Sequence, residues 1–151
     1  MHRLTGVVIR RYQDLDTWKL TEAFKDEIHR IVLGSPEARH DLRYRGQILD
    51  AANRPSSDVA EGFMRFSPGD FARFLDYAVG SVAETERRLH DGIKVQYFPE
   101  SRCREAFQLA RRCTAAIISL KRSQVRYRAE CRERDREARR QQTQRRRTRR
   151  T

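Results

Sequence analysis

The chain has 151 residues, 38% hydrophobic and 36% charged, with a net charge of +12, which suits one modest core plus a tail. No apolar run approaches the roughly 20 residues that span a bilayer, and the first residues lack the small-residue cleavage site of a secretory signal. Three cysteines, Cys103, Cys113 and Cys131, are an odd count without a C-x-x-C pair, which argues against a disulfide framework. The expectation is a soluble cytoplasmic protein with ordinary thiols, Cys113 packing as a small hydrophobe.

The charge is uneven. Residues 121–151 hold 14 Lys and Arg against 4 Asp and Glu, whereas residues 1–120 hold 19 against 17. A nearly neutral body therefore carries a basic tail, and the chain divides into an N-terminal extension (1–13), a helical body (14–122) and an Arg-rich C-terminal extension (123–151).

The apolar period is helical throughout, with no strand pair and no Asn-Gly or Asp-Gly hairpin turn. A first helix is predicted over 14–33, capped by Asp14, with Leu20, Phe24, Ile28 and Ile31 on one face. Gly34-Ser35-Pro36 ends it, glycine accepting a left-handed conformation and proline stopping the ladder. A second helix runs over 41–63 with Ile48, Leu49, Ala52, Val59 and Phe63 inward. Pro55 either kinks it near 51–55 or splits it into two.

Ser67-Pro68-Gly69-Asp70 is the clearest helix start: serine caps, proline fits the first position and Asp70 favours the positive dipole end. The third helix extends to about His90, with Phe71, Phe74, Leu75, Ala78, Val82 and Leu89 inward and Gly92 marking its end. The fourth starts after Pro99 and uses Ala106, Leu109, Cys113, Ala116, Ile117 and Leu120. Beyond Leu120 the stripe stops. Residues 126–140 mix acids and bases at helix-supporting spacings, Glu130 with Arg134 and Glu133 with Arg136, and extend the helix into solvent or not. From Gln141 onward no apolar residue remains, and disorder is expected. Four amphipathic helices with short connections predict an all-α, antiparallel up-down four-helix bundle with a basic C-terminal tail.

Leu15 and Trp18 lie, at 100° per residue, away from the Leu20–Phe24–Ile28 stripe. Either they cover a loop or helix end, or they form an oligomer interface on a second apolar side of the first helix.

Several segments together resemble one family: Tyr12-Gln-Asp-Leu-Asp-Thr-Trp18; Leu42 through Gln47 to Ala51-Ala52; Pro55-Ser-Ser-Asp-Val-Ala-Glu-Gly62 followed by Arg65; and Asp70-Phe71, Phe74-Leu75, Ala78, Gly80-Ser81 and Glu84. They resemble the bacterial four helix bundle proteins, first described from intervening sequences of large-subunit ribosomal RNA genes. The accessory variability protein of diversity-generating retroelements is similar. The resemblance covers about Tyr12 to Leu120. It implies a four-helix bundle, usually a homopentamer, without enzymatic activity. For the retroelement branch it implies a basic surface contacting nucleic acid and a partner reverse transcriptase. Asp58 stands where the family usually has Asn, and the tail after Leu120 is not a family feature.

Catalytic and metal chemistry find little footing. Di-iron bundles need paired Glu-x-x-His motifs; Glu37 with His40 fits once, at a loop, and there is no second copy. Glu61 and Glu84 read as structural carboxylates bonded to Ser, Arg or backbone groups. Ser56, Ser57 and Ser81 have no histidine nearby in sequence, and there is no phosphate-binding glycine loop. No catalytic residue, metal or cofactor is expected, and no membrane partner.

The basic tail carries the functional signal. Arg139, Arg140, Arg145, Arg146, Arg147, Arg149 and Arg150 present guanidinium groups that fork onto phosphates, and Arg43, Arg45, Arg54, Arg65 and Arg73 supply a second candidate set on the body. Phosphate contacts position a protein without reading bases. The expectation is a non-enzymatic, oligomeric binder of RNA or DNA backbone, serving as an accessory factor to a reverse transcriptase. The alternatives are a protein–protein scaffold without a nucleic-acid role and a tail that is merely solvated.

Overall fold

A computed structural model describes residues 2–4, 7–65 and 67–148. Among the described residues five α-helices follow an N-terminal strand pair: α1 (Asp16–Leu33), α2 (Pro36–His40), α3 (Leu42–Met64), α4 (Pro68–Lys94) and α5 (Arg104–Thr148). Four of them make the bundle. α3 packs on α1 and α4, and α5 on α1 and α4, so chain neighbours run antiparallel around one core. Phe24, Ile28, Ile31, Ile48, Val59, Phe63, Phe71, Leu75, Val82, Leu89 and Ile117 are all buried there, each side chain contributing about 1.5–3 kcal/mol of hydrophobic burial.

The four predicted stripes face this core, with Leu20 and Leu49 packed at its edge and Ala116 left half-buried beside it. The Ser67 cap is as read: its Oγ accepts from Asp70 N at 3.3 Å with Pro68 in the first turn. α3 is one helix through the buried Pro55, with Ser57 Oγ donating to Asn53 O at 3.1 Å just beyond the proline. Gly62 brings α4 against α3, since a Cβ there would meet Phe74 Cβ at 2.7 Å and Phe71 Cδ2 at 2.8 Å.

Several local expectations are corrected. His2–Leu4 (β1) and Val7–Ile9 (β2) form an antiparallel pair in the register His2↔Ile9, Arg3↔Val8, Leu4↔Val7, and β1 packs on α5. Asp14 caps nothing; it ends a 3₁₀ turn, Tyr12–Asp14, and pairs with Arg11 Nη2 at 2.9 Å. The residue before α1 is Leu15, extended at φ −73°, ψ 124°. Gly34 closes α1 at φ −83°, right-handed rather than left-handed. Residues 36–40 form α2, because Ser35 Oγ accepts from Ala38 N at 3.2 Å and Pro36 suits the first turn.

Gly92 does not end α4, which continues to Lys94; it is buried under Tyr44 and Phe98. The reversal comes at Gln96, which takes φ 62°. The largest difference is at the C-terminus, where α5 continues through Thr148 past the point where disorder was expected. Residues 100–151 contain neither Gly nor Pro, and Arg, Gln and Glu are good helix formers that need no core to hold the backbone ladder.

Candidate nucleic-acid interface

The bundle arginines are matched to their own carboxylates and carbonyls. Arg54 Nη1 reaches Glu84 Oε2 at 2.8 Å across the α3–α4 seam. Arg65 pairs with Glu61 one turn back and lies 5.2 Å above the Phe74 ring. Arg73 pairs with Asp70 at 3.3 Å, and half-buried Arg45 donates to Arg39 O at 3.0 Å. Arg43 is exposed beside Asp41. Because α3 spans 23 residues, Arg43 and Arg65 sit at opposite ends of a rod about 35 Å long. Arg65 and Arg73 share one end, Arg43 and Arg45 the other, and Arg54 lies between, so these five do not form one patch.

Of the two carboxylates Glu61 and Glu84, only Glu84 ties helices together; Glu61 bonds along α3 to Arg65. Glu84 also accepts from Arg88 Nη2 at 2.9 Å, and Arg88 Nη1 reaches Gln47 Oε1 at 2.8 Å. The Arg88 hydrogen bond holds the Glu84 carboxyl below the usual range. Asp58 faces the same seam from α3. Burial first, then the nearby Glu61 charge, raises its carboxyl to about 6, against the Ser81 hydroxyl and Arg54, which lower it.

Ser56 and Ser57 are turned onto Asn53 O. Cys113 donates to Leu20 O at 3.3 Å, and burial pushes its thiol up to about 12, as it pushes Cys103 to about 11. Both are held as unreactive thiols. Among the described residues no three His, Cys, Asp or Glu side chains come together as a metal ion would need. Nor does any helix among them have the length and apolarity to cross a membrane.

Leu15 and Trp18 are drawn inward. Leu15 is 4% exposed and belongs to the core, because its extended backbone takes it off the helical step used to place it outside. Trp18 is half-buried and meets Tyr12 edge-on at 5.4 Å. Exposed Ile118 and Val125, with half-buried Val79, line a groove of about 870 Å³ between α4 and α5, rimmed by Arg122, Arg126 and the Asp76–Lys121 ion pair of 2.5 Å.

The tail arginines stand on a projecting rod. Among the described residues, Gln124 is the last fully buried one of α5. Arg128 lies over Gly69 at the start of α4. From Arg126 to Arg145 every side chain is exposed except those of Tyr127 and Cys131, which are half-buried. Residues 126–148 make about 35 Å of helix at 1.5 Å per residue. Its first half, 126–137, holds five arginines and four acids; from 138 to 148 there are five arginines and no acid. Arg139, Arg140 and Arg145 are exposed there, Thr143 Oγ1 folding back onto Arg139 O at 2.9 Å. Arg146 and Arg147 lie within the helix, and Arg149 and Arg150 lie outside the described residues. The sequence showed the charge but not this presentation; the missed signal was the run without Gly or Pro.

The family model described as 23S rRNA-intervening sequence protein matches residues 13–119. That span takes in α1 to α4 and the bundle part of α5, and it stops short of the projection. A search of curated proteins gives no match.

Proposed function

The chain belongs to the 23S rRNA-intervening sequence protein family, and from that premise we propose that it is a non-enzymatic, oligomeric bundle that holds the phosphate backbone of nucleic acid with the α5 projection. The observation that carries this reading is the acid-free distal end of α5, where Arg139, Arg140 and Arg145 are exposed. Each phosphate neutralised releases counterions, so binding of this kind weakens steeply with salt. A homopentamer, the assembly implied by the resemblance, would gather five such arms and multiply their apparent affinity. An arm of this kind suits an accessory factor that keeps template close to a reverse transcriptase.

The test compares the full chain with residues 1–129, which retain Gln124 and Arg128, for binding of RNA and DNA across a salt series, with light scattering on both. Steep salt-dependent binding by the full chain alone supports the reading. Equal binding by both would move the contact to the bundle arginines. No binding by either at moderate salt would reject a nucleic-acid role.

One feature favours a second reading, a protein–protein scaffold. The groove beside Val79 exposes Ile118 and Val125 inside a mostly basic rim, an arrangement typical of docking faces. It gains ground if neither form binds nucleic acid and Ile118→Glu lowers the mass seen by light scattering.

A further inference from the structure

The projection of α5 is segregated by face as well as basic. At 100° per residue, Arg132, Arg136, Arg139, Arg140 and Thr143 fall within a sector of about 100°, and all five are exposed. Glu130, Glu133 and Glu137, also exposed, fall in the neighbouring sector of about 60°. Arg134 and Arg145 lie outside the ridge, Arg126 falls within the glutamate sector, and Asp135 borders the ridge's other edge. One side of the rod is thus a line of guanidinium groups, and its flank is a line of carboxylates. Net charge alone does not require that arrangement.

We propose that this ridge seats the rod, as a helix, in the major groove of B-form DNA, with the arginines toward the duplex. The proposal rests on the nucleic-acid reading above and deepens it. A bare helix is about 10–12 Å across with its side chains, and the B-DNA major groove is about 12 Å wide. The ridge itself, residues 132–143, is about 18 Å long, about half of one duplex turn of about 34 Å. The deep, narrow major groove of A-form RNA excludes such a rod. A membrane surface is a poor fit, because an interfacial helix needs a broad apolar face and the residues after Val125 offer only Tyr127, Ala129, Cys131 and Ala138. The contact is with phosphates, so the rod binds duplex DNA with little sequence preference.

Three probes separate the outcomes: a DNA duplex of about 30 base pairs, the same sequence as RNA duplex, and one DNA strand alone. Each is titrated with the full chain across a salt series. The key variant exchanges neighbours, Arg132→Glu with Glu133→Arg and Arg136→Glu with Glu137→Arg, leaving net charge unchanged. The second variant, Ala138→Pro, keeps every charge and breaks the rod. Circular dichroism follows helix content in both.

The proposal expects duplex DNA to bind tightest. It expects the exchange variant to bind about tenfold or more weakly, with a log–log salt slope flatter by about 2, while its helix content stays level. It expects Ala138→Pro to weaken binding as well. If both variants bind as the parent does, the ridge is rejected while the basic-arm reading stands. RNA duplex or single strand bound as tightly as duplex DNA rejects the groove assignment. Failure of the parent to bind any probe rejects both.

Discussion

Tyr44 and Gly92 meet across the seam between α3 and α4, where the tyrosine ring occupies the space that a side chain on residue 92 would need. Tyr44 Oη donates to Arg88 O at 2.8 Å, and its ring stands edge-on to Tyr97 at 5.0 Å. A Cβ at Gly92 would overlap the Tyr44 hydroxyl and meet Phe98 Cζ at 2.5 Å. Gly92→Ala is therefore expected to cost about 1–3 kcal/mol through overpacking, and Tyr44→Phe about 1 kcal/mol through the lost hydrogen bond. Urea titrations of the single and double variants check this. A double variant less stable than the sum of the two single losses would show that Tyr44 Oη is not what crowds residue 92.

Two carboxylates in the same seam titrate with opposite signs. Asp58 has its folded pKa raised to about 6, above the ordinary value near 4. Between about pH 4 and 6 the folded chain holds a proton that the unfolded chain has released, so stability falls as pH rises through that window. Asp58→Asn should remove the penalty and stabilise at pH 7 by about 1 kcal/mol, after allowance for solvent screening of a half-exposed group. The gain should fade as pH drops from about 6 to 4. Asn is also the residue the family usually carries at that step. A gain that is the same at pH 4 and 7 would sink this assignment.

Glu84 runs the other way. Arg88 and Arg54 hold its carboxyl low, so its contribution is present above about pH 4.5 and lost as pH falls through the lowered folded value. Glu84→Gln is expected to lower stability at pH 7 by up to about 1 kcal/mol, an effect reduced by salt and absent near pH 2. Thermal melts at those two pH values, each at low and high salt, decide it; a loss that persists at pH 2 would assign the effect to packing.

The bundle was legible because its stripes repeat over several turns and because Ser67-Pro68-Gly69-Asp70 joins three start signals. The misses have separate causes. The β1–β2 pair has three residues per strand and Thr5-Gly6 between them in sequence, too short for an alternation to register. Leu15 was placed by a helical step although it precedes the helix. Past Gln141 the path of α5 follows apolarity in the sequence reading, which reports burial, whereas helix formation there rests on intrinsic propensity. The charge of the candidate interface could be read from sequence. The division of that charge by face required knowing that the segment is helical.

Removing residues 130–151 should leave the bundle almost as stable as before. Residues 132–145 are exposed along their whole length, so the truncation uncovers little apolar surface, and surface changes of this kind stay within about 0.5 kcal/mol. A fall in Tm of more than a few degrees for residues 1–129 would mean that the projection packs on a neighbouring copy.

Gln124 offers the sharpest stability test. It is fully buried at the point where α5 leaves the bundle, and neither its Nε2 nor its Oε1 has a hydrogen-bond partner among the described residues. It continues the three- and four-residue steps of Cys113, Ile117 and Leu120, where an aliphatic side chain would suit the site. An unpaired buried amide costs about 1–3 kcal/mol. Gln124→Leu, which keeps much of the volume, is expected to stabilise the chain by an amount in that range, read as a higher urea midpoint with an unchanged slope. Gln124→Ala removes the amide too but leaves a cavity, and should fall below the leucine variant. A leucine variant less stable than the parent would show that the amide is satisfied in solution. If that loss came with a smaller particle by light scattering, the partner would be another copy of the chain.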